Sequence, residues 1–219
     1  MKNWLAIISG IAVLGAAASA SAQLNVLHLE DQSSQGYTEY SYDLTATQSE
    51  TYLTFFFRQD PAYWGFDNVQ FTDSSANNLV VNGGFETGDH TGWMLVGQQG
   101  LTAAGTVRSS GYATPYANHP EEGSYYWNDG AVGGVDGIAQ TIATTIGDHY
   151  TLSFWLSNDG GNFNSFDAFA GGAVRTYDGN IITYDGQQIT GGGDVTVPEP
   201  ASLALVGIGV AGFLARRRK

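Results

Sequence analysis

A chain of 219 residues can form one large domain or two small ones. The absence of cysteine excludes a disulfide framework, a thiolate nucleophile, a zinc–thiolate site and an iron–sulfur cluster. A formal net charge of −13 excludes nucleic acid as a partner for the bulk of the molecule, and an aromatic content of 13% argues against a disordered chain.

Charge is distributed unevenly. Lys2, Arg216, Arg217, Arg218 and Lys219 sit at the ends, whereas all 21 acids lie from Glu30 to Glu199 with only Arg58, Arg108 and Arg175 among them. Positive ends around an acidic middle are the layout of an exported chain. Lys2 precedes an apolar run from Trp4 to Ala18, followed by Ser19-Ala20-Ser21-Ala22-Gln23. Basic start, apolar segment and small alternating residues are the three parts of a secretory signal peptide, here 1–22 and helical, with Ala20 and Ala22 presented to signal peptidase. An uncleaved membrane anchor is the alternative.

The next 170 or so positions carry no long helical period. Short runs rich in Tyr, Phe, Thr, Val and Ile are broken by Gly, Asn and Asp clusters, which predicts strands joined by turns. In the run from Tyr52 to Arg58, Leu53, Phe55 and Phe57 share one face. From Tyr150 to Ser157, Leu152, Phe154 and Leu156 oppose Ser153, Trp155 and Ser157. Further strands are expected at 24–30, 37–47, 65–72, 79–82, 123–128 and 137–144. The pattern predicts an all-β domain over 23–190, an antiparallel jelly-roll β-sandwich. Residues 171–194 read as a final hairpin running into a linker at 191–197.

The chain ends with Val197-Pro198-Glu199-Pro200, an apolar stretch at 201–215, and Arg216-Arg217-Arg218-Lys219. Those 15 residues fall short of the ~20 that span a bilayer comfortably, yet snorkelling Arg and Lys stems extend their reach. The basic cluster then stays cytoplasmic and the acidic region lies outside. An ordinary tail anchor or a buried core helix leaves the Pro-Glu-Pro triplet unexplained.

Residues 198–219 resemble the PEP-CTERM sorting signal: a Pro-Glu-Pro motif, a short transmembrane helix and a basic end. The resemblance implies that an exosortase, an integral membrane transpeptidase, recognises Pro198, Glu199 and Pro200 and removes the tail. The membrane is then a transient anchor. The implied host is a Gram-negative bacterium that secretes exopolysaccharide and builds biofilms, with the mature protein at the cell surface or in the extracellular matrix.

A second resemblance covers most of 37–170. Residues 78–88, NLVVNGGFETG, followed by Thr91-Gly92-Trp93, look like the opening of galactose-binding-like carbohydrate-binding jelly rolls. Residues 137–161 look like their middle strands, and residues 37–72 like their closing strands. The usual closing half therefore comes first. That order implies a circular permutation joined through 73–77, or two half-modules that complete each other between chains.

The resemblance also implies a structural calcium held by Glu86, by carbonyls of 82–84 and by Asp67. Hard cations prefer such oxygens, although Asn68 stands where the family often has a second acid, and both acids are equally readable as turn caps. Sugar rings pack on aromatic faces, so Trp155, alone among Ser and Thr on its face, is the first candidate. Tyr126, Trp127 and Trp64 follow, each with core packing as the alternative. Trp93 reads as core, and Arg58 with Asp60 as a loop-fixing ion pair.

The four histidines are scattered, with no Gly-x-Ser-x-Gly elbow and no His-Glu-x-x-His pair. The expectation is a non-enzymatic carbohydrate-binding surface protein. A matrix component without a discrete ligand site is the second reading, and a glycan hydrolase using paired acids the third.

Overall fold

The computed structural model describes residues 24–109, 119–171, 177–178, 181–184 and 187–189. The predicted signal peptide, the 191–197 linker, the sorting tail and both flanking helices lie outside these residues. Among the described residues no helix is long and apolar enough to cross a membrane.

The chain forms β1 (Leu24–Glu30), β2 (Gln35–Thr45), β3 (Glu50–Asp60), β4 (Trp64–Asp73), β5 (Met94–Gly97), β6 (Thr106–Ser109), β7 (Tyr125–Asp129), β8 (Asp136–Ala143), β9 (His149–Asn158) and β10 (Asn162–Ala170). Short strands β11 (Tyr177–Asp178), β12 (Ile181–Tyr184) and β13 (Gln187–Ile189) make a separate small sheet. The main body is two five-stranded antiparallel sheets. Sheet A runs β1-β10-β3-β8-β5 and sheet B runs β2-β9-β4-β7-β6. Apart from β6 to β7, consecutive strands up to β10 alternate between the sheets, a jelly-roll-like sandwich. Strands from 37–72 and strands from 78–170 are neighbours within both sheets of one chain.

The apolar alternation decides which face turns inward. Leu53, Phe55 and Phe57 of β3 meet Leu152, Phe154 and Leu156 of β9, and Phe66 and Phe71 of β4, in one core cluster. Phe66 has ring neighbours at 4.7 Å (Phe55), 5.4 Å (Phe57 and Phe154) and 5.8 Å (Phe166). Trp93 is 5% exposed, a core residue as read from the sequence.

The alternation is interrupted in β4. Asn68 takes a left-handed φ of 48°, and the register with β9 shifts between Asp67 and Gln70. This bulge keeps Phe66, Val69 and Phe71 in the core while Asp67 projects outward.

Two expectations need correction. The predicted strand at 79–82 is an irregular segment, preceded by one bridge from Thr72 to Asn78 and tied to β4 by the Leu79 N–H on the Phe71 carbonyl. Side chains take over its ladder: Asn78 Oδ1 accepts the N–H groups of Phe71 and Val80, and the Gln140 amide pairs with the main chain of Val81. β5, β6 and β10 lie outside the expected strands. β10 is a central strand between β1 and β3, and its Asn162, Asn164, Ser165 and Asp167, set among three Phe, read as turn-forming in isolation.

Candidate functional site

The outward face of sheet B is built in rows across its strands. Residues opposite one another on adjacent strands share a face, so Glu39, Trp155 and Asp67 form one row. Ser41, Ser153 and Gln70 form the next, and Asp43, Thr151 and Thr72 the third. Trp155 is half-buried, the one aromatic ring among hydroxyls, an amide and carboxylates in these rows.

Residues 119–124 lie over one end of this face, held by two carboxylates. Asp67 Oδ2 accepts the N–H groups of Glu121 (2.8 Å) and Glu122 (3.3 Å), while its Oδ1 accepts that of Asn68 (2.8 Å). Glu86 Oε1 accepts the N–H groups of Ser124 (2.8 Å) and Tyr125 (2.9 Å). Burial pushes the Asp67 carboxyl up to about 7, against the lowering effect of its three N–H donors. Tyr37 completes the anchorage: its hydroxyl donates to the carbonyl of His119 at 3.0 Å, and the two rings meet edge-on at 5.8 Å. Burial and the nearby Asp67 charge raise the Tyr37 phenol. The hydroxyl fits because Gly65 lies beneath it, where a Cβ would come within 2.7 Å of the Tyr37 oxygen and 2.5 Å of Ser157 Oγ.

Trp64 and Trp127 are 0% and 1% exposed and belong to the core cluster, so neither presents a ring face to a ligand in this conformation. Tyr126 is 0% exposed. Of the four candidate aromatics, Trp155 alone is accessible. Arg58 and Asp60 form the expected ion pair, at 2.8 Å, and Asp60 Oδ1 also accepts the Gly133 N–H. Tyr37, Glu39, Ser41 and Gln70 join the face without a signal in the sequence that marks them as candidates. Tyr37 shares the outward face with Glu39 and Ser41 by simple alternation along β2; its contact with residues 119–124, far away in the chain, is what the sequence does not reveal.

Asp67 and Glu86, 19 positions apart, adjoin around the Gly83-Gly84 turn. A Cβ at Gly84 would lie 3.8 Å from Glu86 Cγ, 3.9 Å from Asp67 Oδ1 and 3.8 Å from Glu122 Oε1. The donors are hard oxygens, which suits calcium by type. Among the described residues, however, no group of three or more His, Cys, Asp or Glu is arranged to hold a metal ion.

The end of the chain carries its own information. Residues 196–219 match the PEP-CTERM protein-sorting motif. The match contains Pro198, Glu199 and Pro200, and it marks the chain as carrying an exosortase-dependent signal for export and sorting to the cell surface or beyond. No curated protein and no solved structure matches the chain.

Proposed function

We propose that this PEP-CTERM protein is a non-enzymatic carbohydrate-binding module, displayed at the surface or in the exopolysaccharide matrix of its Gram-negative host. In this reading signal peptidase releases the N-terminus and exosortase removes the tail after a transient membrane stage. The observation that carries the binding reading is the half-buried Trp155 in a row with Glu39 and Asp67 and beside rows of Ser, Thr and Gln. A pyranose packs its C–H surface on such a ring while flanking polar groups meet its hydroxyls. Calcium at Asp67 and Glu86 is a structural element of the proposal, bracing the turn that holds residues 119–124.

Affinity electrophoresis through gels containing the host's exopolysaccharide tests the reading. Retardation of the wild type that is lost in Trp155→Ala supports it. Equal mobility in gels with and without glycan, across a panel of polysaccharides, refutes it and favours a matrix protein with no discrete site.

A further inference from the structure

Two acids lie inside the sandwich, away from the sheet B face. Asp129 closes β7 and pairs with Trp64; Asp136 opens β8 and pairs with Phe57 and Gly97. Trp64 and Phe57 are core residues, so both carboxyls project between the sheets, and the two acids are 0% and 6% exposed.

Their oxygens have few donors. Asp129 Oδ1 accepts the Ala131 N–H (3.1 Å), Asp129 Oδ2 accepts the Trp127 indole N–H (3.1 Å), and Asp136 Oδ2 accepts the Gly105 N–H (3.0 Å). Asp136 Oδ1 is buried with no donor. Gly105 is clamped between the two acids, since a Cβ there would lie 2.1 Å from Asp129 Oδ2. The residues facing the pair from neighbouring elements are Phe57, Trp64, Gly97, Trp127 and Gly105, none of them ionisable. At the rim, Asp60 paired with Arg58 accepts the Gly133 N–H, Tyr63 packs over Gly130, and the Asp159 N–H donates to the Tyr63 carbonyl.

Two carboxylates in this setting would each bear a full charge in an apolar interior with no cation facing them. One proton resolves both problems. It neutralises one acid and supplies the donor that Asp136 Oδ1 lacks, as in a carboxyl dyad that ionises only once.

We infer that Asp129 and Asp136 hold a single proton between them as a carboxyl–carboxylate hydrogen bond, which closes this end of the sandwich in acid and loosens it as pH rises. Loss of the proton to water takes the pair from one negative charge to two. The repulsion then acts on the same side chains that hold Gly105 and Ala131. Burial, then the mutual charge, raises the Asp129 carboxyl well above the ordinary carboxylate range; burial raises Asp136 too. The titration belongs to the pair rather than to either member.

Because the folded state keeps the proton to higher pH than the unfolded chain, stability falls as pH rises from about 4 to the dyad's native titration point. The test is urea unfolding of the full chain in mild detergent between pH 4 and 9, for wild type and Asp129→Asn. In the variant the introduced amide N–H stands permanently in place of the shared proton. Over the titration window the unfolding constant of wild type, relative to the variant, is expected to rise toward tenfold per pH unit. Carboxyl ¹³C titration of the wild type gives an answer even if the variant does not fold: the two resonances should report one shared ionisation displaced above the ordinary carboxylate range. Parallel pH slopes, or two carboxyls that ionise independently within the ordinary carboxylate range, overturn the inference. Stabilisation by calcium that Asp129→Asn abolishes also overturns it, in favour of a buried cation.

Discussion

Gly65→Ala probes how the roof over sheet B is seated. The new methyl would sit 2.7 Å from Tyr37 Oη and 2.5 Å from Ser157 Oγ, both inside contact distance. Overpacking of this kind costs about 1–3 kcal/mol. Moving the phenol also breaks its 3.0 Å bond to the His119 carbonyl, worth roughly 1 kcal/mol. Alanine constrains the unfolded chain more than glycine, which returns about 0.4–1 kcal/mol. The net expectation is a loss of about 1.5–3 kcal/mol in urea denaturation, on the scale of those terms.

The decisive comparison is a double-mutant cycle with Tyr37→Phe. Alone, Tyr37→Phe loses the hydrogen bond, roughly 1 kcal/mol. In the double variant the obstructing hydroxyl is gone and the bond is lost only once. The combined loss should therefore fall short of the sum by about 1 kcal/mol, with the Ser157 contact keeping the rescue partial. Strict additivity would refute the argument, because it would mean that Gly65 and the Tyr37 hydroxyl do not compete for one space.

Three further outcomes follow from the same geometry. Phe66→Ala removes a fully buried ring surrounded by five others and should cost about 3–5 kcal/mol by chemical denaturation. If calcium occupies the proposed site, a hundredfold excess over its Kd should stabilise the wild type by about 2.7 kcal/mol and leave Glu86→Gln unmoved; equal responses would remove calcium from this turn. Side-chain and main-chain bonds from Thr91 and Thr87 hold the Asp89 carboxyl down to about 2. Its contribution to the 87–91 turn is thus present above the unfolded value near 4 and lost as pH falls toward about 2. The Thr91 amide resonance should titrate near the lower value, and a midpoint near 4 would contradict the bonding.

The sorting motif is legible without a fold, because an ordered triplet, apolar stretch and basic end act as a linear address. The sandwich is legible where strands alternate strongly, as in β3 and β9. The structure also brings Asp67 and Glu86 together at one turn, a juxtaposition that depends on the bulge at Asn68 and the tight packing of Gly83 against Val69. A Cβ at Gly83 would come within 2.0 Å of the Val69 carbonyl oxygen. Other features required the third dimension. Trp127 and Trp64 stand beside polar residues that suggested a loop surface, yet the pairing of β7 with β4 turns both rings into the core. Tyr37 acquires its partner only when residues 119–124 close over the sheet, and β10 gains its strand character from neighbours on both sides. The pairing of two acids at Gly105 is invisible in sequence because Asp129 and Asp136 belong to strands of opposite sheets, and only the packing of those sheets brings both carboxyls to that glycine.

Amide chemical-shift mapping during titration with oligosaccharides from the host's exopolysaccharide addresses the central proposal most directly. The account predicts saturable shifts gathered on Glu39, Ser41, Asp67, Gln70, Ser153 and Trp155, with the indole N–H of Trp155 among the largest. Shifts confined to the other sheet or to the loop ends, or none at saturating glycan, would contradict the assignment of sheet B as the binding face.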